Sequence, residues 1–220
     1  YKWFKNPIDL AKSSEIDIVV ELIGGANGIA FDVAKTTLTN KKNLVTANKA
    51  MIAIHGYKLK RLANKYFVNL NFEASVAGGI PIIRTLQNSL LSDKITKVYG
   101  ILNGTCNYIL SEMESSKDSF SNVLKRAQSL GYAEPGNPKL DLNGYDAFAK
   151  IRILSSLSFN KKISNKKCLM EGIENIEFKD IDIADQLNFR IKLLGITELI
   201  NNKLFERVHP CLVKKNSYIA

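Results

Sequence analysis

The chain has 220 residues, 45% of them hydrophobic and 24% charged, with a formal net charge of +10. This is ordinary globular composition, enough for one large domain or two small ones, and at this size no disulfide staple is needed. Only six of the 31 basic residues are arginine, and the densest cluster, "NKKISNKKCL", has no aromatics interleaved for base stacking; the charge therefore reads as solvated surface rather than a nucleic-acid interface.

In chain order, "EIDIVVELIGG" (residues 15–25) is a near-continuous apolar run closing on two glycines. A buried parallel strand with helices over both faces looks like this. "NGIAFDVAKTTLTNKK" follows with helical spacing and lysines expected in its last turn, where the helix dipole favours cations. A short strand, "NLVTAN", a helix, "KAMIAIHGYKLKRLANKY", and a third strand, "FVNLNFEASV", complete an alternating series. That order implies a doubly wound parallel sheet. "AGGIPIIRTLQNSLLS" then predicts a glycine-rich turn entering a helix with Pro81 near its first turn. "KITKVYGILNG" alternates like a strand with one wet face. Helices are expected over "GTCNYILSEMESS", "SFSNVLKRAQSLG" and "NGYDAFAKIRILSSLSF". "NFRIKLLGITELINNKLFERVHPCLV" reads as two strands joined at "INN". The fold class is α/β: a partial doubly wound, Rossmann-like parallel sheet over residues 1–75, then an α+β domain over 76–220, with the boundary near Glu73–Gly79.

Cys106, Cys168 and Cys211 are odd in number and far apart. That pattern points to a reducing compartment such as the cytoplasm and away from a structural zinc site. Two histidines are too few for a histidine-rich metal centre. No apolar run reaches the roughly 18 residues that span a bilayer. The opening "YKWFKNPIDL" reads as the middle of a longer chain.

Ligands of open parallel sheets sit beyond the carboxyl ends of the strands, here Ile23–Gly25, Thr46–Lys49 and Glu73–Gly79. Glycines at Gly24 and Gly25 would let a ligand approach the backbone, and Lys49 could reach a phosphate; equally, the glycines could only turn the chain. "GGANG" is not the G-x-G-x-x-G fingerprint of a dinucleotide site, so such a loop is expected upstream of Tyr1. Asp146 and Lys150 lie at i and i+4, on one helix face. Exposed, they would be an ion pair worth about 0.3–0.5 kcal/mol. On a face shared with Ile151, Ile153 and Leu154, they would be buried charges that need partners. Glu134 precedes Pro135 and is biased to extended backbone, with a site acid and an accidental loop acid both open.

Taken together, "VVELIGG", "NLVTANKAMIA", "FEASVAGGIPII", "GILNGTCNYIL", "GYAEPGNPKLDLNGYDAFAKIRILSSLSF" and "RVHPCLV" resemble the bacterial type of homoserine dehydrogenase almost end to end. The resemblance implies an NAD- or NADP-dependent oxidoreductase that interconverts L-homoserine and L-aspartate 4-semialdehyde in threonine and methionine biosynthesis, as a homodimer. It makes Lys150 the catalytic proton donor. Glu134, Asp146 and Asp141 become substrate acids, and Lys49 lines the cofactor and substrate cleft. Gly24, Gly25 and Gly131 approach the cofactor. Main-chain oxygens of Glu73, Val76, Gly78 and Ile80 take a monovalent cation, sodium or potassium. The residue that selects NAD or NADP is expected upstream. Another NAD(P)-dependent amino-acid dehydrogenase and a lysine-rich nucleic-acid-binding protein are the competing readings.

Overall fold

Short apolar strands alternating with amphipathic helices form the first half of the chain. Ile18–Glu21 (β1), Asn43–Thr46 (β2) and Leu70–Asn71 (β3) pair in parallel, in the order β1-β2-β3. These coordinates are a computed structural model that describes residues 2–161 and 168–220. Most of the lysine cluster "NKKISNKKCL" lies outside the described residues. Of the described residues, 2–94 with 156–161 form one compact unit and 95–155 with 168–220 a second. Residues 76–94, which the sequence pattern groups with the second domain, pack with the first unit.

In the first unit, Pro7–Lys12 (α1) is a helix that the sequence pattern does not announce. It begins on the Asn6 side chain, which accepts from the Ile8 N–H, and packs on Ile29–Thr39 (α2). Helix α2 buries Ala30, Val33, Ala34, Thr37 and Leu38 and packs on both β1 and β2. It ends before the lysines that were expected in its last turn: Asn40 is its C-cap and Lys41 follows with φ 57°. The Lys42 ammonium instead donates to the carbonyls of Ser13 and Ile16, capping other backbone rather than this dipole. Lys49–Tyr66 (α3) runs over the whole predicted stretch. Along β1 only alternate residues are buried; Ile18 and Val20 remain 56% and 60% exposed.

The third strand is much shorter than expected. After Asn71 the chain turns into a 3-10 turn at Glu73–Ser75. Pairing stops because β3 reaches only Leu44 and Val45 of β2. The Glu73 carboxylate then accepts from the N–H groups of Ile83 and Arg84, both at 2.9 Å. These bonds start a helix at Ile82–Arg84 (α4), one residue after Pro81, and it continues as a π-helical turn over Thr85–Ser89.

The second unit is built on a four-stranded sheet with Lys97–Gly100, Phe189–Ile200, Lys203–Lys214 and Leu169–Met170 in spatial order. Lys97–Gly100 (β4) pairs antiparallel with Phe189–Ile200 (β6), and β6 pairs antiparallel with Lys203–Lys214 (β7). Asn201 and Asn202 join β6 to β7 with φ of 48° and 61°. Two left-handed residues make the turn whose twist suits a hairpin, and asparagine tolerates that region. Leu169–Met170 (β5) runs parallel to β7. Gly104–Ser116 (α5) packs on Phe120–Ser129 (α6), Lys139–Leu142 (α7), β6 and Phe178–Gln186 (α9). Helix α9, opened by a Glu177–Asp180 capping box, and the single turn α7 are further elements that the pattern does not announce. Tyr145–Phe159 (α8) buries Asp146, Ala147, Ile151, Ile153, Leu154 and Ser155.

Helix α7 is pinned at its end by a close backbone approach. The Ile173 N–H donates to the Leu142 carbonyl at 2.8 Å. A Cβ on Gly172 would lie 2.0 Å from that same oxygen and 2.5 Å from the Asn143 Cα. Only glycine fits there, because the obstacle is backbone and cannot swing away. Gly172→Ala should therefore destabilise the protein by about 1–3 kcal/mol, read from the denaturant midpoint. An unchanged midpoint would show that α7 is not held by this contact.

Candidate active site

The chemistry-bearing residues of the second unit converge on the N-terminus of α5. Asn103 is its N-cap: the Asn103 Oδ1 accepts from the Cys106 N–H at 2.8 Å. Asparagine is among the preferred caps because its side-chain oxygen satisfies an otherwise orphaned N–H. The other end of the same amide is also used. Its Nδ2 donates to Asp141 Oδ1 at 2.8 Å and to Asp146 Oδ2 at 2.9 Å. Asn103 is 4% exposed.

Lys150 completes the cluster one turn along α8. Its Nζ donates to Asp146 Oδ2 at 2.7 Å and to the Leu102 carbonyl at 2.8 Å. The Lys150 and Asp146 side chains are 20% and 8% exposed. The exposed-pair reading of this i, i+4 spacing fails here. A carboxylate so far from water is costly unless donors surround it, and Lys150 and Asn103 are those donors. Thr105 adds a hydroxyl that donates to the Tyr132 carbonyl at 2.8 Å and reaches Asp141 Oδ2 at 3.5 Å.

Beneath the acids, the Cys106 thiol donates to the Asp141 carbonyl at 3.2 Å. Burial above all, then the charges of Asp141, Asp146 and Glu174, push this thiol up to about 12. It stays protonated at neutral pH and is no nucleophile.

The structure thus brings Asp141, Asp146 and Lys150 together. Glu134 is exposed; its carbonyl accepts from Gln128 Nε2 at 3.0 Å, and among the described residues no hydrogen bond ties its carboxylate to the other three. Gly131 has a clear local task. With φ 79° it ends α6 in a Schellman turn, its N–H meeting the Gln128 carbonyl and the Tyr132 N–H meeting that of Ala127. Tyr132 stacks on Tyr108 of α5, ring centroids 4.2 Å apart.

In the first unit a second buried carboxylate organises the strand ends. Glu21, the last residue of β1, is 1% exposed. It accepts from the N–H groups of Ile23 and Gly24 at 2.7 and 3.3 Å, and from the Thr46 hydroxyl at 2.6 Å. Asn48 caps α3 through the Met51 N–H at 3.0 Å and donates to the Gly25 carbonyl at 2.7 Å. The Gly24–Gly25 turn and the start of α3, where Lys49 sits half-buried, are thereby tied to each other. Among the described residues no three His, Cys, Asp or Glu side chains form a metal-binding group.

Asn103, Thr105 and Glu21 were not singled out by the sequence reading. A signal existed for two of them: an asparagine opening a predicted helix is a cap, and Glu21 interrupts an otherwise apolar run. Neither signal tells where the rest of the side chain goes.

Comparison with known proteins fits this geometry. The profile of a family described as homoserine dehydrogenase matches residues 81–220. The chain belongs to the homoserine dehydrogenase family. Homoserine dehydrogenase of Neisseria gonorrhoeae is 44% identical over 98% of this chain and 49% of its own length. The crystal structure of a homoserine dehydrogenase from Thiobacillus denitrificans superposes with a TM-score of 0.93 at 43% identity, over 98% of this chain and 49% of that one. A hyperthermophilic archaeal homoserine dehydrogenase solved in complex with NADPH superposes at 0.81 with 25% identity, over 99% of this chain and 62% of that one. The chain spans about half the length of the curated relatives it matches.

The buried thiol sets a pH test. The folded state holds the Cys106 proton up to about pH 12, whereas the unfolded chain releases it from about 9. Its contribution to stability is present below that lower value and lost as pH rises through the window. Denaturant unfolding from pH 8 upward should show a steeper alkaline loss in the native protein than in Cys106→Ser. Parallel curves would refute the assignment.

Proposed function

We propose that the full-length protein containing this chain is an NAD(P)-dependent homoserine dehydrogenase that interconverts L-homoserine and L-aspartate 4-semialdehyde on the route to threonine and methionine. The observation that carries the reading is the Lys150 ammonium, held by the buried Asp146 carboxylate and the Leu102 carbonyl beside a second acid, Asp141. The first unit, which takes in residues 76–94, is assigned to the nucleotide domain, and the second unit to substrate binding and the dimer contact.

The glycine turn suits a dinucleotide. Gly24 and Gly25 have φ of 86° and 78°, and a Cβ built on either would meet nothing within 4 Å. Gly131 leaves the same open space. Backbone of this kind lets a ligand come close. In the first unit, Gly24, Gly25 and Lys49 would hold the cofactor, NADP or NAD. When bound, the nicotinamide supplies or accepts the hydride at the substrate carbon.

The chain's own residues handle the proton and the substrate's charge. As the aldehyde becomes an alkoxide, Lys150 gives its proton to the carbonyl oxygen; in oxidation it takes the hydroxyl proton back. A cation held where negative charge develops stabilises the transition state, and positioned proton transfer is typically worth 10²–10⁴-fold. Asp146 orients the lysine. Asp146, Asp141 and Glu134 attract the substrate ammonium.

Homodimer formation is supported by Tyr99 and Phe205, exposed aromatic side chains on one face of the four-stranded sheet. The cytoplasm is supported by the reduced state of Cys106, Cys168 and Cys211. Among the described residues no helix is long and apolar enough to cross a membrane. Carbonyl oxygens of Glu73, Val76, Gly78 and Ile80 are proposed to hold sodium or potassium. Ala77 at φ 49° and Gly79 at φ 87° coil this segment tightly.

The decisive experiment uses Lys150→Met and Asp146→Asn in the full-length protein. Lys150→Met should lower kcat for aldehyde reduction by about 10² or more. It also removes the cation beside the buried Asp146 carboxylate, so some stability is lost, about 1–3 kcal/mol. Lys150→Met combined with Asp146→Asn removes the uncompensated charge and should regain stability without regaining turnover. Asp146→Asn alone should raise KM as well as lower kcat. A Met variant that turns over at more than about a tenth of the normal rate ends the proton-donor assignment.

The cation has its own check. With sodium and potassium replaced by choline at constant ionic strength, activity should drop and return on adding either ion. Indifference to both removes this site and leaves Lys150 untouched.

A further inference from the structure

Two carboxylates that approach one nitrogen atom need a reason to stay there. Asp141 comes from α7 and Asp146 from the first turn of α8; the short turn between them, where the Gly144 N–H donates to the Asp141 carbonyl at 3.1 Å, sets the two backbones but not the directions of the two carboxylates. Like charges repel and drift apart unless donors sit between them. Among the described residues the Asn103 amide reaches both, through a single Nδ2, at 2.8 and 2.9 Å.

The orientation of that amide follows from its other end. Its Oδ1 is committed to the Cys106 N–H as the cap of α5. Reversing the amide would set its oxygen against two carboxylates and its NH₂ against an N–H donor, losing three hydrogen bonds at once. Helix α5 and the two acids are thus locked through one side chain that is 4% exposed. The next residue back, Leu102, offers its carbonyl to the Lys150 ammonium. Gly195, on β6, holds that residue in turn: a Cβ there would lie 2.6 Å from Leu102 Cδ1 and 3.3 Å from Ile151 Cβ.

From this we infer that Asn103 is a positioning residue for substrate capture. Its amide fixes the spacing and direction of the Asp141 and Asp146 carboxylates, so that they receive the ammonium of an amino-acid substrate while Asp146 still orients Lys150. The assignment rests on the proposed roles of Asp146 and Lys150. It adds a residue that touches no reacting atom yet sets where two acids stand.

The bridge is tested first without turnover. In the full-length protein Asn103→Ser keeps a side-chain oxygen to cap α5 and removes the two-donor amide, whereas Asn103→Ala removes both. A double-mutant cycle in denaturant unfolding pairs Asn103→Ser with Asp141→Asn. If the amide bridges the acids, the serine substitution should cost much less once Asp141 is neutral. A strictly additive cycle overturns the bridge. In kinetics, KM for L-homoserine should rise about tenfold in both Asn103→Ser and Asn103→Ala. KM for the nicotinamide cofactor should stay where it was, and the larger fall in melting temperature should belong to the alanine variant. A capping role alone forecasts a serine variant with wild-type KM, and that result also overturns the inference. A coupled cycle alongside a fully active Lys150→Met variant would instead sink the reading of the lysine and leave the amide bridge standing.

Discussion

A carboxylate at 8% exposure, set in the first turn of a helix that is otherwise mostly apolar, imposes conditions on everything around it. Asp146 loses most of its hydration on folding, and an isolated buried charge would cost several kcal/mol. The ammonium of Lys150 and the amide of Asn103 meet that cost together. Each donor then brings its own requirement. Lys150 needs an oxygen for its remaining protons, found on Leu102; Asn103 needs an acceptor for its second N–H, found on Asp141. Satisfying one buried charge therefore fixes the start of α5, the start of α8 and the turn α7.

Those elements hold their places for reasons of shape rather than charge. Gly172 lets the chain after β5 press against the end of α7, and Gly195 lets Leu102 and Ile151 lie over β6. The charged cluster sits on a scaffold that does not need charge to form. Rigid support of this kind suits the proton-donor role proposed for Lys150, because small displacements of a donor are costly in rate.

The first unit repeats the device with different donors. Glu21 is 1% exposed, and two backbone N–H groups with a threonine hydroxyl, rather than a lysine, surround it. Its effect is to tie the glycine turn after β1 to the end of β2. In both units a buried acid fixes the backbone beside it, and residues proposed for ligand contact lie there: Gly24 and Gly25 in the first, Asp141 in the second.

Much of this was legible in the sequence, and the limits have physical causes. Helical spacing placed α3 and α5 over their full lengths, since period and caps are local properties. The i, i+4 spacing of Asp146 and Lys150 established that they share a face, and the "INN" stretch announced the β6–β7 turn. The length of β3 was not legible, because a strand lasts only as long as its neighbour pairs with it, and only Leu44 and Val45 of β2 pair with β3. Nor was the end of α2, where Lys41 and Lys42 looked like dipole partners until the fold sent Lys42 to other carbonyls. Helices α1 and α9 carry side-chain caps that a closer local reading could have found. By itself, then, the order of residues determined element types, the shared face of the acid and the lysine, and the family resemblance, all of which depend on neighbours along the chain. Tertiary structure alone decided whether that pair is buried or solvated. It also decided that the Asn103 amide faces two acids 38 and 43 residues away. Burial and long-range hydrogen bonds exist only once distant segments have packed.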